Sequence, residues 1–278
     1  MRILVTNDDG IDSVGLHRLA AAVCEIDGDH EVVVAAPDSE YSGAGAAIGA
    51  LHLIQPVVRK TTHDDCGDAS VWTVSGPPAL CVMFARLSAF GPPPDLIVSG
   101  INPGANVGRA VYHSGTVGAA LTGRNGNISG VAVSQSVTGF GVEGQGWDEM
   151  LVHQKWDTAA TVAQTFVRAL IDDLPAEPVV ANINVPNVEL ADIAGWRHAV
   201  VGQAPPRSMN KATLEPIAGS VDAFTVSMKW GDALALPPDT DTGTVERNEV
   251  AVSYLSRLDH EARDDLGATD AALDALIS

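Results

Sequence analysis

Short runs of apolar, β-branched residues recur along this chain, each stopped by a turn and followed by residues spaced for a helix. Residues 1–6 (MRILVT) are the first such run. The run is too short for a helix, and its apolar residues are consecutive rather than alternating, the pattern of a strand buried on both faces. Over 15–26 the apolar residues Leu16, Leu19, Ala20 and Val23 fall at helical spacing. Residues 30–36 (HEVVVAA) form a second buried run, stopped by Pro37. Strand, helix and strand in that order predict a βαβ unit with a right-handed crossover.

The alternation continues. Residues 46–60 and 70–75 read as extended, a hairpin separated by the polar stretch TTHDDCGDA. Gly76-Pro77-Pro78 turns the chain, and a helix is predicted over 79–89, because proline suits a first helical turn. Further strands are expected over 95–99 (DLIVS), 131–134 and 178–185, with helices beginning at 116–122 and running over 156–172. The Gly-rich segment 138–155 reads as a loop. This order predicts an α/β fold, a doubly wound and mostly parallel sheet, over residues 1–186. From 187 to 245 the pattern breaks, with Pro205-Pro206, Pro237-Pro238 and only short strand-like pieces such as Phe224–Trp230. That segment reads as an extended arm for oligomer contacts. Residues 246–278 read as a strand over 250–255 and an acidic helix over 259–277 that return to the core.

Charge narrows the partners. The 278 residues carry 35 acids and 16 bases, a formal net charge of −19. Affinity for a nucleic-acid duplex comes largely from Lys and Arg, so such a partner is disfavoured. A small anion remains compatible where a bound cation reverses the local field. The three cysteines, Cys24, Cys66 and Cys81, fit neither a disulfide framework nor a zinc spacing, and Cys24 and Cys81 lie in apolar, helix-like stretches suited to core packing. Residues 1–6 read as a strand rather than as a leader, and no apolar run of about 18 residues occurs. The expectation is a cytoplasmic protein without a membrane partner.

Four polar clusters carry chemistry-bearing residues. Asn7-Asp8-Asp9-Gly10 follows the first strand at its carboxyl end, where open α/β sheets place ligands. Adjacent carboxylates at ~4 Å repel by roughly 1 kcal/mol in water and about 4 kcal/mol at a protein surface. A hard divalent cation would reverse that sign. The same residues also fit a polar turn with Asp9 capping the next helix. Asp38 to Gly43 follows the second strand, and its Ser42 and Gly43 suit either a phosphate-facing turn or an ordinary loop. In Ser99-Gly100-Ile101-Asn102-Pro103-Gly104-Ala105-Asn106, Asn102 offers an amide oxygen to a cation or bonds its own turn. Ser114-Gly115-Thr116 precedes a helix, where free N–H groups favour phosphate, or where Ser114 simply caps. Three of these clusters follow predicted parallel strands and would gather on one sheet edge. No strand is followed by GxGxxG, and Walker A and GxSxG sequences do not occur. The eight histidines show no ligand spacing, and His113 stands out only for preceding Ser114.

These motifs resemble the SurE (survival protein E) nucleotidases. The matching pieces are ILVTNDDGI at 3–11, VVVAAPDSEYSGA at 32–44, SGPPA at 75–79, PDLIVSGINPGANVG at 94–108, SGTVGAA at 114–120, NINVP at 182–186 and VAVSYLSRL at 250–258. The resemblance implies a Rossmann-like fold whose C-terminal extension is exchanged in homodimers or homotetramers. It implies divalent-metal-dependent hydrolysis of nucleoside 5′- and 3′-monophosphates and, in some members, of short polyphosphate. By resemblance, one Mg²⁺ or Mn²⁺ per subunit falls on Asp8, Asp9, Ser42 and Asn102, and phosphate contacts fall on Ser42, Gly43, Asn106, Ser114, Gly115 and Thr116. Asp8 and Asp9 are the catalytic candidates, with Asp8 as base or nucleophile. Alternatives are a broad-specificity acid phosphatase or exopolyphosphatase, a nucleotide-binding regulator without turnover, and an acidic interaction protein. The chain departs from the family pattern at Asp12-Ser13-Val14, Gly76-Pro77-Pro78, Arg109, Ala110 and His113.

Overall fold

A computed structural model describes residues 1–66, 69–138, 147–204, 209–232, 234–258 and 265–277. The strands are β1 (Arg2–Thr6), β2 (Glu31–Pro37), β3 (Val58–Thr61), β4 (Ser70–Val74), β5 (Leu96–Pro103), β6 (Ser129–Gln135), β7 (Val180–Val185), β8 (Gly195–His198), β9 (Met209–Pro216), β10 (Phe224–Trp230) and β11 (Glu249–Tyr254). The helices are α1 (Val14–Cys24), α2 (Pro78–Arg86), α3 (Gly115–Asn125), α4 (Trp147–Leu151), α5 (Trp156–Asp172), α6 (Asp241–Val245) and α7 (Gly267–Ile277). Nine strands form one sheet in the order β3-β4-β2-β1-β5-β6-β7-β11-β8. The strands from β4 to β7 in that order pair in parallel. β3 joins β4 antiparallel, completing the hairpin around the polar stretch, and β11 joins β7 antiparallel.

The continuous apolar runs follow from burial on both sheet faces. Ile3 and Val5 of β1 pack with Leu16, Leu19 and Val23 of α1 and with Ala159, Ala163 and Val167 of α5. Leu4 faces the other way, toward Leu80 and Cys81 of α2 and Ala119 of α3. β1 therefore has no water-facing side to carry alternate polar residues. Cys81 is fully buried, whereas Cys24 is only half-buried.

Topology positions the site. From β1 the chain moves to β2 on one side, and from β5 it moves to β6 on the other. β1 and β5 are neighbours, with Thr6 opposite Ser99. The crevice outside their carboxyl ends is therefore the switch point at which such sheets bind ligands.

Several expectations are refined. Only Val58–Thr61 of the segment 46–60 is a strand, because the stretch before it turns repeatedly. The segment 138–155 contains the short helix α4, and its residues 139–146 lie outside the described residues. The tail helix begins at Gly267, and 259–264 likewise lie outside the described residues. Within 187–245, β9 and β10 form a separate antiparallel hairpin whose Leu214, Val226 and Met228 are exposed. β8 pairs with β11 in the main sheet, and α6 is buried against it.

Candidate active site

Asp8 sits one residue beyond Thr6-Asn7 at the end of β1, and only 2% of it is exposed. Its surroundings are built from three loops and a helix terminus. Asn7, fully buried, donates its side-chain amide to the Gly10 carbonyl at 3.0 Å and to Ser13 Oγ at 2.6 Å. Ser13 in turn caps α1 by accepting from Leu16 N–H at 3.3 Å. The reading in which Asp9 caps this helix is thus corrected: the cap is Ser13, and Asp9 is left for another partner.

The terminus of α3 abuts Asp8. Thr116 Oγ1 donates to Asp8 Oδ1 at 2.5 Å. At Gly115, any Cβ would lie 2.7 Å from Asp8 Cβ and 2.8 Å from its Oδ2, so only glycine lets the helix approach this closely. Ser114 caps α3, accepting from Val117 N–H at 3.1 Å, and its own hydroxyl hydrogen remains free to donate. The capping reading of Ser114 is met, and it leaves the hydroxyl hydrogen for another acceptor.

β5 brings the third element. Its ladder with β6 slips between Ser99 and Asn102, a bulge that re-aims the strand end. Gly100 makes the bulge, with φ of 137° and no room for a side chain, since a Cβ would meet the Val133 carbonyl at 2.3 Å. Asn102 donates its amide nitrogen to Gly104 O at 2.6 Å, which leaves the amide oxygen for a cation. Here too the turn role and the ligand role are compatible.

The loop carrying Ser42 is tied to the same place. Tyr41 N–H donates to the Asp8 carbonyl at 2.8 Å, and Gly45 N–H to that of His113 at 3.0 Å. Ser42 and Gly43 lie exposed at the rim, and Ser42 N–H is held by Glu40 Oε1 at 2.7 Å. Asn106 is placed differently from the rest. It is buried, its amide donates to Ser134 Oγ at 2.8 Å, and its carbonyl accepts from Asn182 at 2.9 Å and Asn184 at 3.2 Å. Asn106 thereby locks its loop to β6 and β7. Arg109 and His113, the departures beside this loop, are exposed.

The electrostatics are unbalanced. Burial raises the Asp8 carboxyl above the ordinary carboxylate range, against the Thr116 hydrogen bond. Burial, with the charges of Asp8 and Glu40, pushes Asp9 from 3.8 to about 8. Asp9 Oδ2 is buried and has no hydrogen-bond partner. Among the described residues no cationic side chain offsets these acids. An orphaned carboxylate oxygen, a second buried carboxylate and a free amide oxygen form a hard donor set that fits Mg²⁺ or Mn²⁺. Two surface clefts, one lined by Lys155 and Trp156 and one by Arg86 and Arg124, lie away from these residues.

Four contributors are not apparent from sequence reading. Asn7 shapes the acidic loop. Asn182 and Asn184 hold Asn106; their only signal is an N-x-N alternation inside a buried strand. Asp241, fully buried at the start of α6, accepts from Gly108 N–H at 2.9 Å, Gly202 N–H at 2.9 Å and Thr242 N–H at 2.8 Å. It ties the arm segment to the loop after Asn106.

The chain is similar to known proteins. The family described as Survival protein SurE matches residues 3–207. A protein of Erwinia tasmaniensis named 5′/3′-nucleotidase SurE is 35% identical over 259 residues, 92% of this chain and 90% of that protein. One of the same name from Cronobacter sakazakii is 33% identical over 270 residues, 95% and 94% of the two chains. The crystal structure of the SurE protein from Aquifex aeolicus has the same fold, with a TM-score of 0.73 at 26% identity, across 99% of this chain and 100% of that one. A family match over most of the chain, similar proteins over nine-tenths of it and a common fold agree: this chain belongs to the SurE survival-protein family.

Proposed function

We propose that the chain is a divalent-metal-dependent 5′/3′-nucleotidase that hydrolyses nucleoside 5′- and 3′-monophosphates to nucleoside and phosphate. The observation that carries this reading is the orphaned, buried oxygen of Asp9 next to Asp8, the carboxylate against which the N-terminus of α3 packs, at the switch point of the sheet. The names of the Erwinia and Cronobacter relatives support it.

In this reading Asp8, Asp9, the Asn102 amide oxygen and Ser42 hold one Mg²⁺ or Mn²⁺. When bound, the cation supplies neutralising charge and Lewis-acid polarisation of the phosphoryl group. Thr116 holds Asp8 in one rotamer by its hydrogen bond. Asp8 is the base or nucleophile. The Ser114 hydroxyl and the N–H groups of Gly43 and Gly115 receive phosphate oxygens as charge develops. Asn106 positions this loop from within the fold.

Residues 1–186 form the catalytic core, 187–245 the arm and 246–278 the returning strand and helix. The exposed apolar hairpin β9–β10 supports self-association as a homodimer or homotetramer. Among the described residues no helix is long and apolar enough to cross a membrane; the proposed setting is the cytoplasm.

The test is phosphate release from a panel of nucleoside 5′- and 3′-monophosphates with Mg²⁺, with Mn²⁺ and with chelator. Release should need the cation, and Asp8→Asn should lower kcat by at least about a hundredfold, the scale of general acid–base or nucleophilic groups. Turnover that survives chelation, or near-normal turnover by Asp8→Asn with metal bound, overturns the assignment.

A further inference from the structure

A second group of donors lies outside the acidic site. His17 of α1 and His63 and Asp65 of the loop before β4 bring three ligand-type atoms within 4.8 Å of one another. The two imidazole rings are 3.5 Å apart between centroids and tilted by 47°. Neither histidine is in the motifs that define the acidic site.

Hydrogen bonding sets what each side chain has left to give. His17 Nε2 lies 2.7 Å from the Ile11 carbonyl. A carbonyl only accepts, so Nε2 carries the hydrogen and Nδ1 keeps a lone pair. This is how metal-bound histidines are held: one nitrogen donates to a backbone carbonyl, and the other faces the ion. Asp65 N–H donates to His63 Nδ1 at 3.3 Å, so Nδ1 carries the lone pair, and this long bond has to open for that lone pair to take an ion. Asp65 Oδ2 is 3.6 Å from that nitrogen. Two ligands on a tetrahedral ion with bonds of about 2.0–2.1 Å are separated by about 3.3 Å.

We propose that His17, His63 and Asp65 form a second metal site, selective for a nitrogen-preferring transition ion of the Zn²⁺ class. Two imidazoles and one carboxylate supply three ligands, and a water completes the tetrahedron. The acidic site has only oxygen donors, so the two sites differ in the metal they favour. The ion would fasten the loop at residues 62–66 onto the first turn of α1. Through Ile11 it would also brace the chain two residues beyond Asp9. It would act as a clamp, not as a reactant, and does not depend on the nucleotidase reading.

The test uses Zn²⁺ and Co²⁺ alone on the chelator-stripped full chain. Co²⁺ should produce the intense visible absorption of a tetrahedral site in the wild type and in Asp9→Asn. The band should disappear in His17→Gln and in His63→Ala. Asp65→Ala, a change at an exposed side chain, should weaken Zn²⁺ binding in calorimetry by at least about tenfold. Retained Mn²⁺ binding at the acidic site reports that the His17, His63 and Asp65 variants are folded, and a cooperative thermal melt reports it for Asp9→Asn. The proposal fails if the wild type shows no tetrahedral band. It fails equally if both histidine variants keep the band, if Asp9→Asn removes it, or if Asp65→Ala binds Zn²⁺ as the wild type does.

Discussion

At the scale of single residues, Asp9 carries an energetic conflict that a bound cation would resolve. Its carboxyl is pushed up from 3.8 to about 8, so the charged form is disfavoured by the fold. Between those two values the native state holds a proton that the unfolded chain has lost. Stability of the metal-free protein must therefore be greatest below about pH 4 with respect to this group and fall as pH rises to about 8. Asp9→Asn removes the conflict. Thermal melts of chelated protein from pH 5 to 8 should show a shallower decline for the variant than for the wild type. Mn²⁺ at pH 8 should raise the melting temperature of the wild type and leave that of Asp9→Asn unchanged. Equal slopes would show that Asp9 is not the strained group. Gly115 makes a steric prediction beside it. Gly115→Ala puts a methyl 2.7 Å from Asp8 Cβ, so Asp8 or α3 must shift. A displacement of about 1 Å at a reacting group costs on the order of a hundredfold in rate, so kcat should fall far more than the melting temperature.

At the scale of elements, the crevice is held open by polar groups inside the fold. The Asn106 loop hangs on Ser134 of β6 and on Asn182 and Asn184 of β7. α6 reaches the same loop through Asp241, whose oxygens serve three backbone N–H groups on three segments. Each such bond to a charged group is worth about 1.5–3 kcal/mol, and a buried N–H without a partner costs more than a bond never made. Asp241→Ala should destabilise the protein by at least about 3 kcal/mol in denaturant melts. It should also raise KM, since residues 103–108 lose their anchor. A loss below about 1 kcal/mol would mean water replaces the carboxylate freely.

At the scale of the whole molecule, sheet and arm behave differently. The central strands of the sheet, β1, β5, β6 and β7, are buried on both faces. The hairpin β9–β10 exposes Leu214, Phe224, Val226 and Met228, and an isolated two-stranded hairpin is marginal in water. Replacing residues 209–230 with a short Gly/Ser linker should therefore leave the sheet intact and lower the molar mass measured by light scattering. An unchanged mass would remove the hairpin from the account of self-association.

The alternation of strands and helices is readable in the chain because burial on both faces leaves consecutive apolar residues, as at Ile3, Leu4 and Val5. The helix over 156–172 is legible for a related reason: its apolar stripe repeats with the helical period. The acidic pair, Asn102 and the Ser114–Thr116 turn are visible as residue types after strands. Their alternatives are not separable in one dimension, because a carboxylate that caps a helix and one that waits for a cation share the same letters. The tertiary structure decided the capping question: it gave the cap to Ser13 and left Asp9 Oδ2 without a hydrogen-bond partner. It also turned Asn106 inward, brought Asp241 across 133 residues to Gly108 and set His17 against His63. Local pattern reports which face of an element is apolar; partners in space are chosen by packing between segments far apart in the chain.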